Sequence, residues 1–216
     1  MKSFRELKER QRAERDRHGT NLGVRVHRAL SWLERAELCE DDDSRMIFLW
    51  VAFNAAYANE MGPDHRVCEA RLVYNFIKLL CEIDGRNRLE DLTWHEFPKS
   101  IRLLLNNKFI FQPYWNYLNR NISAEEWRQR FADAKTRANQ ALGRRDTARV
   151  LDLVLTRIYT LRNQLIHGGA TWNSKVNRRQ VKDATRFMDR FVPIVIEIML
   201  DNADQFWGEP CYPVVK

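Results

Sequence analysis

A chain of 216 residues that is 44% hydrophobic, with only eight glycines and six prolines, can bury a real core and suits one domain or a domain with an appendage. Its net charge of +7 implies attraction to polyanions, RNA first among them. Cys39, Cys68, Cys81 and Cys211 form no close pair and no zinc-ligand spacing, Val192 to Leu200 is too short to span a bilayer and carries Glu197, and no signal segment is seen. The expectation is a reduced cytoplasmic protein without membrane, metal or cofactor, and long amphipathic runs with almost no alternating β-branched stretches predict an all-α fold of about seven to nine helices.

Residues 1–18 hold seven Lys or Arg against four Asp or Glu, with Phe4 and Leu7 as large apolar side chains, and read as a charged, solvated helical arm ahead of a domain from 19 to 216. Gly19 and Gly23 loosen the join. From Val24 to Leu38, Val26, Leu30 and Leu33 trace one helix face, with Trp32 beside it. Asp41 to Ser44 then cap a helix predicted over Ser44 to Asn59 that is apolar nearly all round, so it belongs at the centre of a bundle. Asn54 is its polar exception and needs hydrogen-bond partners if it is buried.

Pro63 to Ile83 reads as an amphipathic helix with Val67, Ala70, Leu72, Ile77 and Leu80 inward, stopped by Asp84 and Gly85. Leu89 to Asn119 is broken by Pro98, Asn106, Asn107 and Pro113 into shorter helices. Its aromatics Phe109, Phe111, Tyr114, Trp115 and Tyr117 can stack on bases, but rings in a helical protein more often fill the core. Ser123 starts a charged helix whose Glu126 can complete a capping box, so residues 122–142 read as a possible surface insertion with Trp127, Phe131, Ala134 and Ala138 packed.

Asp146 and Thr147 are a plausible N-cap for a helix with Val150, Leu151, Val154, Leu155, Ile158, Leu161 and Leu165 on its apolar positions. At roughly 100° per residue Arg162 falls in line with Leu151, Leu155, Ile158 and Ile166, so it needs an acceptor, a subunit interface or a bound phosphate. His167 would point roughly 140° away in an unbroken helix. Either the helix stops at His167, as Gly168 and Gly169 allow, or the second group comes from another chain across a two-fold axis. The same Arg-to-His spacing occurs at Arg12 to His18 and at Arg88 to His95, without an apolar helix to fix it. Beyond the motif, Trp172 is expected to pack as a plug, and Lys175, Arg178, Arg179 and Lys182 can hold phosphates. A final helix from Asn177 carries Val181, Ala184, Met188, Phe191, Val195 and Ile198 on one face and is expected to kink at Pro193.

Arg162, Asn163 and His167 bring together the groups a metal-free phosphodiester cleavage needs: a guanidinium for phosphate charge, an amide for orientation and an imidazole for proton transfer. The chain resembles the HEPN superfamily, whose ribonuclease members carry Arg, a polar residue and a His after four to six intervening positions. Trp50 to Tyr57 resembles the aromatic helix that bacterial relatives carry ahead of the motif, and Trp207 to Pro213 resembles their C-terminal tail, so the likeness covers the chain from about Trp32.

The resemblance implies a HEPN-like helical bundle with additional peripheral helices. It implies a homodimer whose motif helices form a composite, metal-independent endoribonuclease site, as in family toxins and phage-defence effectors, with an antitoxin or regulatory protein as a possible partner. It also suggests that Asn54 positions Arg162 or His167. Two alternatives stand beside it. One is a silent module that binds RNA or a nucleotide without cleaving it. The other is a structural role in which Arg162 pairs with a buried acceptor and Asn163 and His167 finish the helix.

Overall fold

The fold, taken from a computed structural model, is described over residues 2–58 and 65–212, the side chains of 65–70 excepted. Polar caps start four of its helices. Ser3 accepts from the Glu6 N–H and the Glu6 carboxylate returns to the Ser3 N–H, which opens α1 (Phe4–Ala13). Asp41 caps α3 (Asp42–Tyr57), Ser123 caps α8 (Ala124–Gly143) and Asp146 caps α9 (Thr147–Ile166), each through a side-chain oxygen on a first-turn N–H. The Glu126 carboxylate does not close a box on Ser123, since it pairs with Arg130 one turn on.

With α2 (Thr20–Glu37), α4 (His65–Ile83), α5 (Arg88–Asp91), α6 (Pro98–Leu105), α7 (Gln112–Leu118) and α10 (Arg178–Asp201), the described residues form ten α-helices and no strand. The number exceeds the expected range because the punctuated stretch after Gly85 makes three short helices. The predicted start at Pro63, the predicted end at Asn59, the inward Val67 and Ala70 and the Cys68 thiol lie outside the described residues. Cys39, Cys81 and Cys211 are free thiols, and burial pushes the Cys81 thiol up to about 12.

The all-round apolar helix α3 is central, packed between α2 and α10 with α9 and α4 on its other sides. Phe53 meets Phe191 at 5.3 Å and Tyr57 at 4.7 Å between ring centroids, and Phe187 stacks on Phe191 at 5.6 Å. α10 runs through Pro193 as one helix and is buried on every side from Phe191 to Leu200, where one apolar face was expected.

α1 covers that extra side, which corrects the expected solvated arm. Its Leu7 is fully buried, Phe4 packs on the core, and Lys2 and Arg10 pair with Glu197 and Asp201 of α10 at 2.8 and 2.7 Å. The charge in residues 1–18 hides a narrow apolar stripe that needs a partner nearly two hundred residues away. Leu7→Ala is expected to cost about 2–4 kcal/mol in urea unfolding. A change within the error of the wild type would show that the arm is detached in solution.

α7 and α8 form an outer pair on the α9 side. Tyr114 and Tyr117 pack on Trp127 at 5.0 and 5.9 Å, and Phe111 on Phe131 at 5.2 Å. Ala134, Ala138 and Ala141 of α8 are buried. The aromatic cluster thus packs, as expected, although Phe109 keeps an exposed ring.

Arg25 ties the C-terminal tail to the end of α3. Only 1% exposed, it donates from Nη1 to the Ala56 and Ala58 carbonyls at 3.0 Å each, from Nη2 to Glu209 O at 2.8 Å and from Nε to Gly208 O at 3.4 Å. Arg28 adds bonds to the carbonyls of Cys211 and Tyr212. Trp207 is buried against Phe76 and donates from its indole to Asn202 O at 3.1 Å.

Candidate functional site

α9 enters the core with Val150, Leu151, Val154, Leu155, Ile158 and Leu161 buried and leaves it in its last turn, where Ile166 and His167 are exposed. The apolar stripe that carries Arg162 therefore divides. Leu151, Leu155 and Ile158 face the core, while Ile166 faces outward and Arg162 lies half-buried between them. Tyr159, Asn163 and Ile166 share the outward face by helical spacing. Gln164 anchors this end by donating from Nε2 to Phe109 O at 2.7 Å.

Arg162 donates from Nη1 to the Asn163 Oδ1 at 2.9 Å, and its guanidinium carbon lies 5.9 Å from the centre of the Tyr159 ring. Its Nε is buried without a hydrogen-bond partner among the described residues, a costly state that an incoming acceptor relieves. Tyr159 in turn meets Trp50 of α3 at 5.7 Å, and the Trp50 Nε1 and Asn54 Oδ1 are likewise buried without partners among the described residues. Asn54 is thus not the satisfied core amide that is one expectation for it. The described contacts do not join it to Arg162 or His167.

The helix stops at His167, the first of the two arrangements that the glycines allow. The His167 N–H still donates to Asn163 O at 3.0 Å, Gly168 turns left-handed at φ 69°, and a Cβ on Gly169 would come within 3.3 Å of the Gln164 carbonyl. The imidazole is exposed and makes no side-chain hydrogen bond among the described residues. Arg162 and His167 share no hydrogen bond or ring contact there.

Of the expected phosphate-holding residues, Lys175, Arg179 and Lys182 are exposed. Arg178 differs. Its Nη2 lies 2.8 Å from Oδ1 and 2.6 Å from Oδ2 of the buried Asp43, and its Nε donates to Ser174 O, so it locks the start of α10 onto the start of α3. A buried carboxylate made that pairing obligatory, and no local pattern in the sequence joins residues 135 positions apart. Trp172 is 73% exposed and is not a plug. The Asp41 carboxyl at the start of α3 is pushed up by burial but held below its ordinary value overall, chiefly by hydrogen bonding with Ser44.

Tyr159, Ile166, Trp172 and the 91% exposed Val176 leave apolar surface around the Arg162 and His167 end. Arg157, one turn and a half earlier, escaped notice in the sequence. It is buried with its guanidinium 4.3 Å from the Phe111 ring, donates to Leu105 O at 3.3 Å, and is pushed down to about 10 by burial. It cements α9 to α6 and α7 and so fixes the shaft on which Arg162 stands.

The fold and this helix end define an all-helical protein with an exposed histidine and a half-buried arginine at the C-terminus of a core helix. Comparison with protein-family models, with curated proteins and with solved structures finds no match to this chain. Among the described residues, no helix is long and apolar enough to cross a membrane.

Proposed function

We propose that this protein is a metal-independent endoribonuclease of HEPN type, with a site completed by a second copy of the chain. The observation that carries the reading is the state of the motif. Among the described residues His167 has no side-chain hydrogen bond at the α9 terminus and Arg162 keeps a buried Nε–H without an acceptor, while Tyr159 and Ile166 of the same helix end leave apolar surface exposed. A purely structural motif would pair these groups, and His167 is unpaired among the described residues. A two-fold axis beside the α9 end buries Tyr159, Ile166 and Val176 and sets one chain's Arg162 facing the other's His167.

In such a cleft the substrate's 2′-oxygen attacks phosphorus and loses its proton to imidazole. Arg162 holds the phosphorane oxygens, and the 5′-oxygen leaves as its bond to phosphorus breaks, taking a proton from imidazolium. The products are a 2′,3′-cyclic phosphate and a 5′-hydroxyl, and DNA resists because it lacks the nucleophile. Asn163, already bonded to Arg162, aims the guanidinium. Lys175, Arg179 and Lys182 lie beyond the motif, where they can hold the flanking strand. A toxin or phage-defence role under an antitoxin's control belongs to the same proposal.

Incubating the purified chain in EDTA with a pool of structured and single-stranded RNA, followed by mapping of the ends, tests the reading. Cleavage that leaves cyclic-phosphate ends is the expected result. RNA bound but uncut by a folded dimer would replace it with a silent binding module.

A further inference from the structure

The Arg12 to His18 spacing, which no apolar helix fixes, still has a place in the fold. α1 and the turn Arg15–Arg17 lie across α2 and leave a cleft of about 670 Å³ whose charged lining is Lys8, Arg12, Arg15, His18, His27 and Arg28. No carboxylate is among the residues that line it. Lys8 Nζ is within hydrogen-bond distance of His27 Nδ1 at 3.2 Å and donates to Gln11 Oε1 at 2.9 Å. Both Lys8 and His27 are pushed below their ordinary pKa, first by burial and then by neighbouring positive charge, with Glu34 acting in the opposite sense on Lys8. An anion entering the cleft offsets that positive charge.

The floor of the cleft is the start of α2. Gly19 is its N-cap and offers no side-chain oxygen, and a Cβ on Gly19 or Gly23 would meet nothing within 4 Å. First-turn N–H groups therefore stand at an open, positively polarised end. His18 stands between this cleft and a neighbouring one lined by Glu14, Asp201 and Asp204. Its side chain is 1% exposed, and neither ring nitrogen has a hydrogen-bond partner among the described residues, Glu14 standing 4.0 Å from Nε2. A buried imidazole with an unfilled donor beside such a cleft is itself a sign of a missing acceptor.

We propose that the α1–α2 cleft binds an oligophosphate, a di- or triphosphate group. The donors run from Gly19 to His27, about 12 Å along α2, which is too long for one phosphate. The lining offers no ring besides the two imidazoles for a base to stack on, so recognition rests on the phosphates. The site is independent of the α9 terminus. Gly19 and Thr20 adjoin Ala203 and Gln205 beyond the C-terminal end of α10, whereas α9 hands over to its N-terminal end, about 36 Å away along the helix.

Calorimetric titration of the full chain with tripolyphosphate, against sulfate at matched ionic strength, tests this. Saturable binding to tripolyphosphate is expected, weakened at least about tenfold in Arg12→Glu/Arg15→Glu. Both arginines are exposed and form no ion pair among the described residues, so the double variant should keep the wild-type melting temperature. Displacement by ATP would assign the phosphates to a free nucleotide, and displacement by a 5′-hydroxyl RNA would assign them to a strand. Binding no tighter than sulfate, or equal affinity in the double variant, would overturn the proposal.

Discussion

Replacing His167 by alanine is expected to lower RNA cleavage by about 10²–10⁴-fold while leaving the melting temperature near the wild-type value. The two halves of this expectation have separate causes. The imidazole is exposed and unbonded among the described residues, so its loss breaks no contact of the fold, whereas the proposed proton transfer has no substitute close by. Arg162→Ala should lose a comparable factor, with some stability lost as well, because it removes the bond to Asn163 and the contact with Tyr159. The two inactive variants then test the shared cleft against each other. Mixed in equal amounts after dissociation and reassembly, they should recover about a quarter of the wild-type activity, because random pairing makes about half of the dimers mixed and each mixed dimer keeps one of its two facing arginine and histidine pairs. No recovery in dimers shown to have exchanged subunits would mean that each chain works alone or that the motif does not cleave RNA.

The second large effect is on stability. Arg25→Ala should destabilise the protein by about 3–5 kcal/mol, read from urea unfolding followed by circular dichroism. Burial pushes Arg25 down to about 10, which leaves it charged at neutral pH, and that charge is neutralised by carbonyl dipoles from the end of α3 and from the tail. Removing it leaves several buried acceptors unfilled at once. Arg28→Ala serves as the comparison, since its acceptors, Cys211 and Tyr212, are less buried, and should cost about 1 kcal/mol. A loss below 1 kcal/mol for Arg25→Ala would show that the tail is not held as described.

Helix positions were legible wherever a local signal sets them. Asp41, Ser123 and Asp146 cap the helices they precede, Gly168 takes the left-handed turn that ends α9, and the aromatic run before Tyr57 lies at the centre. What was hidden depends on distant partners. Leu7 looks like a stray leucine in a charged arm until α10 is beside it. Arg178 looks like a phosphate ligand until Asp43 appears, and Arg25 looks like one more surface cation until the tail returns. The site was half legible. Residue types and helix end follow from the sequence, but Trp172 is exposed and Arg162 turns to its own neighbour, because the outward side of the last turn of α9, where Ile166 and His167 stand exposed, lies off the core.

The Arg25 tie also sets a schedule. Its donors lie 183 and 184 positions ahead of the Gly208 and Glu209 carbonyls they meet, so during synthesis they wait roughly 10 to 40 seconds for those acceptors to be made. A chain cut short before Gly208 keeps the Arg25 bonds to Ala56 and Ala58 but loses those to the tail. For a protein whose proposed activity destroys RNA, truncation ahead of residue 208 is expected to leave a less stable nuclease.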